Sequence, residues 1–269
     1  MRCHYLSDLH LESQDFRGTL PRGEVLIIAG DLCHASALDP AQTVPHRAKQ
    51  RERVLRFASG ATSAFRHVLL VPGNHEHYDG VFEDTAALLR RHLHGVTVLD
   101  NEAVEIDGVR FFGTTLWTDL DARNEASMEN IRRGMGEYFF AKTRDGAPDK
   151  QPSLAKLRPN HTLAAHDRAL TALRCEACRS GPMVVITHHA PSPQGLNPQH
   201  KGNGLDGAFA SDLEEFIAGR SNVPVWVHGH THIRKRYRIG GTTLLANCCG
   251  FIGRDLSARN FSPDVYFDL

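Results

Sequence analysis

The sequence predicts a mixed α/β domain built on two sheets. Short apolar runs rich in β-branched residues recur along the chain, and helical patterns separate several of them. Continuous apolar runs are typical of strands covered on both faces, and strand–helix alternation is typical of α/β architecture. With 269 residues, of which 41% are hydrophobic and 23% charged, the chain is long enough for one domain spanning residues 1–269.

The elements follow in order along the chain. The apolar runs that predict buried strands are Cys3–Leu6, Val25–Ala29, Val68–Val71, Met183–Ile186 and Val225–Val227. The helical patterns between them are Arg47–Phe65, Val81–His94, Leu163–Cys178 and Ala208–Ile217. Turn signals such as Asp107-Gly108 predict antiparallel strands at Val96–Leu99, Ala103–Ile106 and Val109–Phe112. Late strands are predicted at Leu244–Ala246 and Val265–Phe267.

Two polar stretches interrupt this pattern. Residues 119–159 carry charges with Gly and Pro interruptions, and residues 191–207 are rich in Gly, Pro and Asn. Both lie between predicted strands, where loops commonly carry function. We therefore expect a polar insert or cap at 119–159 and a Gly/Pro-rich loop at 191–207.

Charge and hydropathy limit the partners. Lys+Arg and Asp+Glu are both 31, so the formal net charge is zero. This balance disfavours attraction of nucleic acid or an anionic membrane by the whole molecule, although a local patch remains compatible with it. No apolar run reaches the length of a membrane span, and no secretory signal is recognisable at Met1.

The six cysteines predict reduced thiols in a cytoplasmic protein. They are too few for a disulfide scaffold at this length, and Cys175-x-x-Cys178 has no second pair to complete four zinc ligands. The adjacent Cys248 and Cys249 have no assigned role.

Histidine is abundant, with 17 residues, and it concentrates with acidic and amide groups where predicted strands end. Ligands of open α/β sheets gather at the carboxyl ends of strands. The metal-capable side chains there are Asp8, His10, Asp31, Asn74, His188, His230 and His232. An extended backbone would point Asp8 and His10 to one face, and likewise His230 and His232, whereas only one of His188 and His189 would point inward.

This donor set suits two divalent cations. Mixed oxygen and nitrogen donors with one bridging group are what such a pair requires. Two cations, the carboxylates of Asp8 and Asp31 and one hydroxide leave a net charge of one positive, which favours an anionic phosphate ester.

The same residues resemble a known family. The signature of the calcineurin-like metallophosphoesterases is similar to Asp8-x-His10, Gly30-Asp31, Gly73-Asn74-His75-Glu76, His188 and Gly229-His230-x-His232. Ser7–Glu12 and Gly113–Asp119 further resemble bacterial stand-alone phosphoesterases. The resemblance implies a four-layer α-β-β-α sandwich of two mixed sheets flanked by helices, with a dinuclear metal centre.

Site roles follow from the resemblance. It implies one cation on Asp8, His10, Asp31 and His232, and another on Asp31, Asn74, His188 and His230, with Asp31 bridging. Mn²⁺ is expected first, and Fe, Zn or Co also suit these donors. The catalytic residues implied are His75, Asp31 and Asn74: hydroxide between the cations attacks phosphorus in line, Asn74 steadies the phosphoryl oxygens, and His75 protonates the leaving oxygen.

Several neighbouring residues have two interpretations. His189 and His228 are expected beside ligands rather than as ligands, and Glu76 is expected to orient His75 or to pair locally. His34 and the Arg132-Arg133 pair either contact substrate or face solvent. The run Arg234–Arg238 reads as a solvated edge strand or a nucleic-acid contact. An arginine expected after Asn247 is missing, and Arg254 is the candidate substitute.

The expected function is hydrolysis of a phosphomonoester or phosphodiester of a small or nucleotide-like substrate. A DNA or RNA nuclease on the same core is the first alternative, and it requires a long basic groove. A lipid-precursor pyrophosphatase usually has Gly-Asn-Arg-Asp in place of Gly73–Glu76. A non-catalytic metal-binding scaffold would tend to lack ligands or the histidine that are present here. Oligomeric state has no sequence signal.

Overall fold

The structure is a computed structural model that describes residues 1–145 and 153–269; residues 146–152 of the expected insert lie outside the described residues. Its first sheet has the order β13-β1-β2-β3-β4. Strands β1 to β4 are mutually parallel, and β13 pairs antiparallel with β1. Their bounds are β1 Arg2–Leu6, β2 Gly23–Ile28, β3 Phe65–Leu70, β4 Val96–Val98 and β13 Tyr266–Asp268.

The second sheet has the order β11-β12-β10-β9-β6-β5. Its central strands β12, β10, β9 and β6 are parallel, and antiparallel partners β11 and β5 flank them. The bounds are β5 Glu102–Ile106, β6 Val109–Thr114, β9 Met183–Thr187, β10 Val225–His228, β11 Arg234–Ile239 and β12 Thr242–Asn247.

Helices cover the outer faces of both sheets. The longer ones are α1 Pro45–Ala64, α2 Thr85–His92 and α6 Pro159–Ala177, and the short ones are α3 Leu120–Arg123, α4 Glu125–Gly134, α5 Glu137–Phe140, α7 Asp206–Phe209 and α8 Glu214–Ala218. Single 3₁₀ turns occur at Ala35–Leu38, His75–His77, Phe82–Asp84, Pro193–Gly195 and Leu256–Arg259.

Three apolar clusters hold the layers together. Strand residues alternate between faces, so in β2 the side chains of Val25 and Ile27 pack between the sheets, while Leu26 and Ile28 pack against α1 and α2. On the second sheet Trp226 packs with Leu173 of α6. The predicted four-layer α-β-β-α sandwich is therefore confirmed.

The insert contains secondary structure of its own. It includes α3, α4, α5 and a hairpin of β7 Lys142–Asp145 with β8 Ser153–Lys156. Its apolar side chains, among them Ile131, Met135 and Tyr138, pack on Leu163 of α6. Backbone hydrogen bonds from Asp79 to Phe140 and from Lys142 to Gly80 attach it to the segment that follows His75.

Three sequence predictions need correction. The strand at Val96 was expected in an antiparallel arrangement, but β4 pairs parallel with β3 in the first sheet. The predicted helix Ala208–Ile217 is interrupted between α7 and α8, because Ala190 and Ser211 share a backbone hydrogen bond and Asp212 accepts the Glu214 N–H. The Val81–His94 helix begins only at Thr85, after a 3₁₀ turn.

None of the described helices combines the length and the apolar composition that crossing a membrane requires.

Candidate metal centre

The predicted donors meet at one edge of the sandwich, beyond the carboxyl ends of five parallel strands. Asp8 and His10 follow β1, and Asp31 follows β2; on the other sheet His188 follows β9. The remaining members of the set are Asn74 after β3 and His230 and His232 after β10. All except the half-buried His232 are buried. Three groups of titratable donors form among the described residues: Asp8, His10, Asp31 and His232; Asp31, His188 and His230; and His10, Glu12 and His75. The first two share Asp31 and contain the predicted donors, and they are the two donor groups considered below.

The backbone brings these side chains together differently from the expected extended chain. Asp8, His10, Asp31, His230 and His232 all have positive φ angles between 46° and 64°. The expectation that pairs two residues apart share a face through extended backbone is therefore wrong, although both pairs do reach the centre. Left-handed residues cost about 1–3 kcal/mol each and concentrate at functional sites, where the surrounding structure fixes them.

Gly73 is required by this crowding. A Cβ at Gly73 would overlap the Asp31 carboxylate and lie 2.8 Å from His188 Cε1. The absence of a side chain therefore lets the loop after β3 pass directly over Asp31.

The first group presents two imidazole lone pairs to one another. His10 Nδ1 lies 2.9 Å from Glu12 Oε1, and His232 Nδ1 lies 2.6 Å from Asp255 Oδ2. Each carboxylate fixes the proton on Nδ1 of the neutral ring, so both Nε2 atoms carry lone pairs. These two Nε2 atoms are 3.1 Å apart. A cation between them satisfies both, and carboxylate–histidine pairs of this kind are typical of metal ligands.

The second group has the same character. His188 Nδ1 bonds the Ala29 carbonyl at 2.8 Å, which leaves the His188 Nε2 lone pair facing inward. That atom lies 3.0 Å from Asn74 Oδ1 and 3.3 Å from Asp31 Oδ1, both acceptors, and 3.1 Å from His230 Nδ1. His230 Nε2 is buried without a partner among the described residues. The donor set thus fits two divalent cations that share Asp31.

The electrostatics also favour positive charge at the centre. Burial lowers the pKa of His188, but Asp31 and Asp8 outweigh burial and raise it to about 9. Burial likewise opposes the charged form of His232, yet its hydrogen bonds with Asp255 and Asp8 raise its pKa to about 10. Despite burial, His188 and His75 hold the pKa of Asp31 well below its usual range. Cations bound here replace these protons.

His75 lies beside the two groups and is oriented by Glu12. Its Nδ1 is 3.0 Å from Glu12 Oε1, and its Nε2 is 4.0 Å from Asp31 Oδ2. Burial lowers the pKa of His75, but the charges of Asp31 and Glu12 outweigh burial and raise it to about 9. Glu12 also orients His10 through the same oxygen. The sequence motif Ser7–Glu12 contains this residue, but spacing alone assigned it no role.

Glu76 pairs locally, which is one of its two expected roles. Its carboxylate accepts backbone N–H groups from Asp31, Leu32, Cys33 and Gly73 at 2.6–3.1 Å. It therefore ties the loop after β2 to the loop after β3, and Glu12 orients His75 in its place.

Asn74 is held by a residue from the insert. Its Nδ2 donates to Tyr78 OH at 3.0 Å and to Glu137 Oε2 at 3.3 Å, and Tyr78 OH donates to the same Glu137 oxygen at 3.3 Å. Glu137 is 2% exposed. These contacts leave Oδ1 of Asn74 directed at His188, while a contact of Asn74 with the phosphoryl group stays a prediction.

The other residues weighed from sequence lie outside the two donor groups. His189 bonds the Thr115 carbonyl and packs on His230, and His228 bonds Tyr237 OH. Four further residues face other neighbours: His34 is near Asp79, Arg132 and Arg133 pair with Glu129, and Arg254 lies over Phe251, whose ring stacks on His10.

Two donor groups around one shared carboxylate, at the strand ends of a four-layer sandwich, define a metal-dependent hydrolase centre. The model of the calcineurin-like phosphoesterase family matches residues 1–234. The chain belongs to this family, as the resemblance implied, and is a metal-dependent phosphoesterase.

Other proteins are similar to this chain in sequence or in structure. Uncharacterized protein L509 of Acanthamoeba polyphaga mimivirus is 23% identical over 234 residues, covering 80% of this chain and 78% of that protein. The phosphopantetheinyl hydrolase PptH of Mycobacterium tuberculosis superposes with a TM-score of 0.59 at 17% identity, over 93% of this chain and 89% of the other. The NAD nucleotidase of Haemophilus influenzae superposes with a TM-score of 0.39 at 11% identity, over 92% of this chain and 45% of the other.

Proposed function

We propose that this protein hydrolyses a phosphomonoester or phosphodiester of a small or nucleotide-like substrate. One observation carries the proposal: acceptor atoms of two donor groups face one another around Asp31, and the protonatable His75 lies 4.0 Å from that carboxylate. Such an arrangement combines sites for cations with a proton donor, as the cleavage of a phosphate ester requires.

The residues that would hold the cations are those of the two groups. Asp8, His10, Asp31 and His232 hold one, and Asp31, Asn74, His188 and His230 hold the other. When bound, divalent cations neutralise phosphoryl oxygens and lower the pKa of water, which supplies a nucleophile. The donors are oxygen and imidazole nitrogen, a set that suits Mn²⁺ first and Fe, Zn or Co as well.

His75 supplies the proton for the leaving oxygen. Glu12 holds Nδ1 of the ring, so Nε2 is the atom that carries the transferable proton toward the centre. Asp31 accepts the backbone N–H of His75 at 2.9 Å, which fixes the distance between the proton donor and the shared carboxylate. The ring stacks on Tyr78 at a centroid distance of 4.4 Å, and this restricts its rotation.

The proposed location is the cytoplasm. Cys3, Cys33, Cys175, Cys178 and Cys248 are free thiols, and Cys3, Cys33 and Cys248 are buried. Burial raises the pKa of Cys249 to about 12, so its thiol stays protonated and unreactive. Free thiols are typical of a reducing compartment.

A substrate panel tests the function. Purified protein reconstituted with Mn²⁺ is assayed on an aryl phosphomonoester, an aryl phosphodiester, a pyrophosphate and a phosphopantetheinyl substrate, the last because of the name of PptH. We expect hydrolysis of an ester, inhibition by chelator and loss of turnover in His75→Ala. Metal uptake without hydrolysis of any member would contradict the proposal and favour a scaffold.

A further inference from the structure

A basic groove lies where edge strands of the two sheets run side by side. Strand β11 ends the second sheet and β13 ends the first. Beside them are a cavity of about 750 Å³ and a second of about 330 Å³, which share Arg236 and Tyr266 and so form one groove. Arg234, which lines the groove, is two residues beyond His232 in the chain. No residue of the metal centre lines the groove.

Cations dominate the larger part of this groove. Its lining includes Arg234, Lys235, Arg236 and Arg259 and no carboxylate, but the Lys235 ammonium donates to the Gln194 carbonyl outside the groove. None of the four forms an ion pair with a carboxylate of the described residues, whereas Arg90, Arg123 and Arg144 elsewhere do. The one acidic lining residue, Asp268, lies in the smaller part and pairs with Arg2 at 3.2 Å. In a protein of zero net charge, this groove is therefore a local site for anions.

The groove also offers an aromatic surface. Tyr266 is 46% exposed and lines both parts, whereas Tyr5, which lines the larger part, is buried. The Arg2 guanidinium covers one face of the Tyr266 ring, 4.1 Å from its centroid, so a base would stack on the other face. A small inorganic anion gains no stacking energy from an exposed ring, whereas a nucleobase stacks on one.

The spacing of the charges suits a repeating anion. Arg234 and Arg236 are two residues apart on β11, and both are exposed. In an extended strand this places them on one face, about 7 Å apart along the groove. We propose that the groove binds single-stranded nucleic acid, with successive phosphates on the arginine row and a base stacked on Tyr266. Grooves that combine a basic track with stacking aromatics are typical of such binding.

Charged side chains on edge strands have a second use, because they discourage pairing between sheets of different molecules. Reversing their sign separates the two roles. Charge reversal at Arg234 and Arg236 keeps the edge charged, and so still discourages pairing with the sheet of another molecule, but it repels phosphate. The double substitution Arg234→Glu with Arg236→Glu therefore tests anion binding without exposing a bare edge.

The test is fluorescence anisotropy with a labelled oligothymidylate of about 10 nucleotides. The full-length protein is titrated at several salt concentrations, and gels verify that the probe stays intact. We expect saturable binding, and the logarithm of the association constant should fall with log salt at a slope of about −2, from about −0.7 for each phosphate contact with Arg234, Arg236 and Arg259. The double variant should weaken binding at least tenfold and flatten the slope, and Tyr266→Ala should weaken it about fivefold or more.

Arg91→Glu is the matched control, because Arg91 is exposed on α2 and forms no ion pair among the described residues. It should bind the probe as the parent does, and each groove variant should retain the parent's circular dichroism and melting temperature. Absence of saturable binding, or equal loss in Arg91→Glu, would overturn the proposal. Equal affinity for polyglutamate together with an unchanged Tyr266→Ala would also overturn it, because the groove would then bind any polyanion.

Discussion

The metal centre and the polar insert are both rich in charge, but they treat it in opposite ways. In the insert, Glu129 pairs with Arg132 and Arg133 on the exposed face of α4, and Arg144 pairs with Asp84. At the centre, acceptors face acceptors: His10 Nε2 and His232 Nε2 are 3.1 Å apart, and each has its proton on the other nitrogen.

A metal site can be recognised by this difference between paired charges and facing acceptor atoms. Exposed ion pairs contribute little to stability and satisfy one another, so they need no ligand. Buried lone pairs that face each other are stable only with a cation or a proton between them. The two regions are nevertheless connected, because Glu137 of the insert bonds Asn74 of the centre.

The largest effect is expected from Asp31→Asn. The substitution removes the carboxylate shared by both donor groups, so bound metal and turnover should fall together, and turnover by more than the ~10²–10⁴ attributable to a missing proton donor. Elemental analysis alongside the ester assay measures both quantities. If the variant keeps its full metal content and the parental activity, the interpretation that Asp31 is shared by the two cations is wrong.

His75→Ala should lower turnover by roughly 10²–10⁴ and leave metal bound, because the ring donates a proton and lies outside both donor groups. Turnover and metal content are again measured together. The effect should be smallest for substrates with acidic leaving groups, which need no proton. An equal loss for every leaving group would count against proton donation.

Glu12→Gln should shift the pH dependence of turnover. His75 acts as an acid only while protonated, so activity is lost as pH rises through its pKa. The Glu12 carboxylate raises that pKa, and the amide does not. We therefore expect the alkaline limb to move to lower pH, with about a 10–100-fold loss at high pH. If the alkaline limb of the pH profile does not move in a variant with normal metal content, the pairing of Glu12 with His75 does not set the pKa of His75.

Glu137→Gln should weaken Mn²⁺ affinity about tenfold, because the charge-assisted hydrogen bond that Asn74 donates to the carboxylate becomes a weaker neutral one. Calorimetric titration with the metal measures this effect. The control is Glu125→Gln in the same insert, at an exposed position, and its affinity should stay at the parental value. If both variants bind Mn²⁺ like the parent, the insert does not contribute to the centre.

Arg132→Ala should change neither activity nor metal affinity. The Arg132 side chain is 45% exposed and pairs with Glu129, and such a pair is worth at most about 1 kcal/mol. Steady-state kinetics on the preferred ester measures kcat and KM of the variant against the parent. A rise in KM of about tenfold would instead indicate the phosphate contact considered from sequence.

Much of the fold was predictable because its signals are local. The apolar runs of β2, β3, β9 and β10 lie where the sequence predicts them, since strands buried on both faces need continuous apolar residues. The parallel pairing of β4 was not predictable, because a three-residue strand carries no signal of its partner. The split between α7 and α8 depends on two hydrogen bonds that periodicity does not encode, a distant one to the Ala190 carbonyl and a local one to the Asp212 carboxylate.

The donor residues were predictable from their positions at strand ends, but their geometry was not. Positive φ angles at Asp8 and His230 replace the expected extended backbone. Two of the partners that orient the donors lie far away in sequence: Asp255 is 23 residues from His232, and Glu137 is 63 residues from Asn74. Only tertiary structure brings such partners together.

The most direct measurement is anomalous diffraction from crystals of the protein grown with Mn²⁺. We expect two separate anomalous peaks on either side of the Asp31 carboxylate, one beside His10 and His232 and the other beside His188 and His230. A single peak, or none at these side chains in protein that hydrolyses phosphate esters, would contradict it.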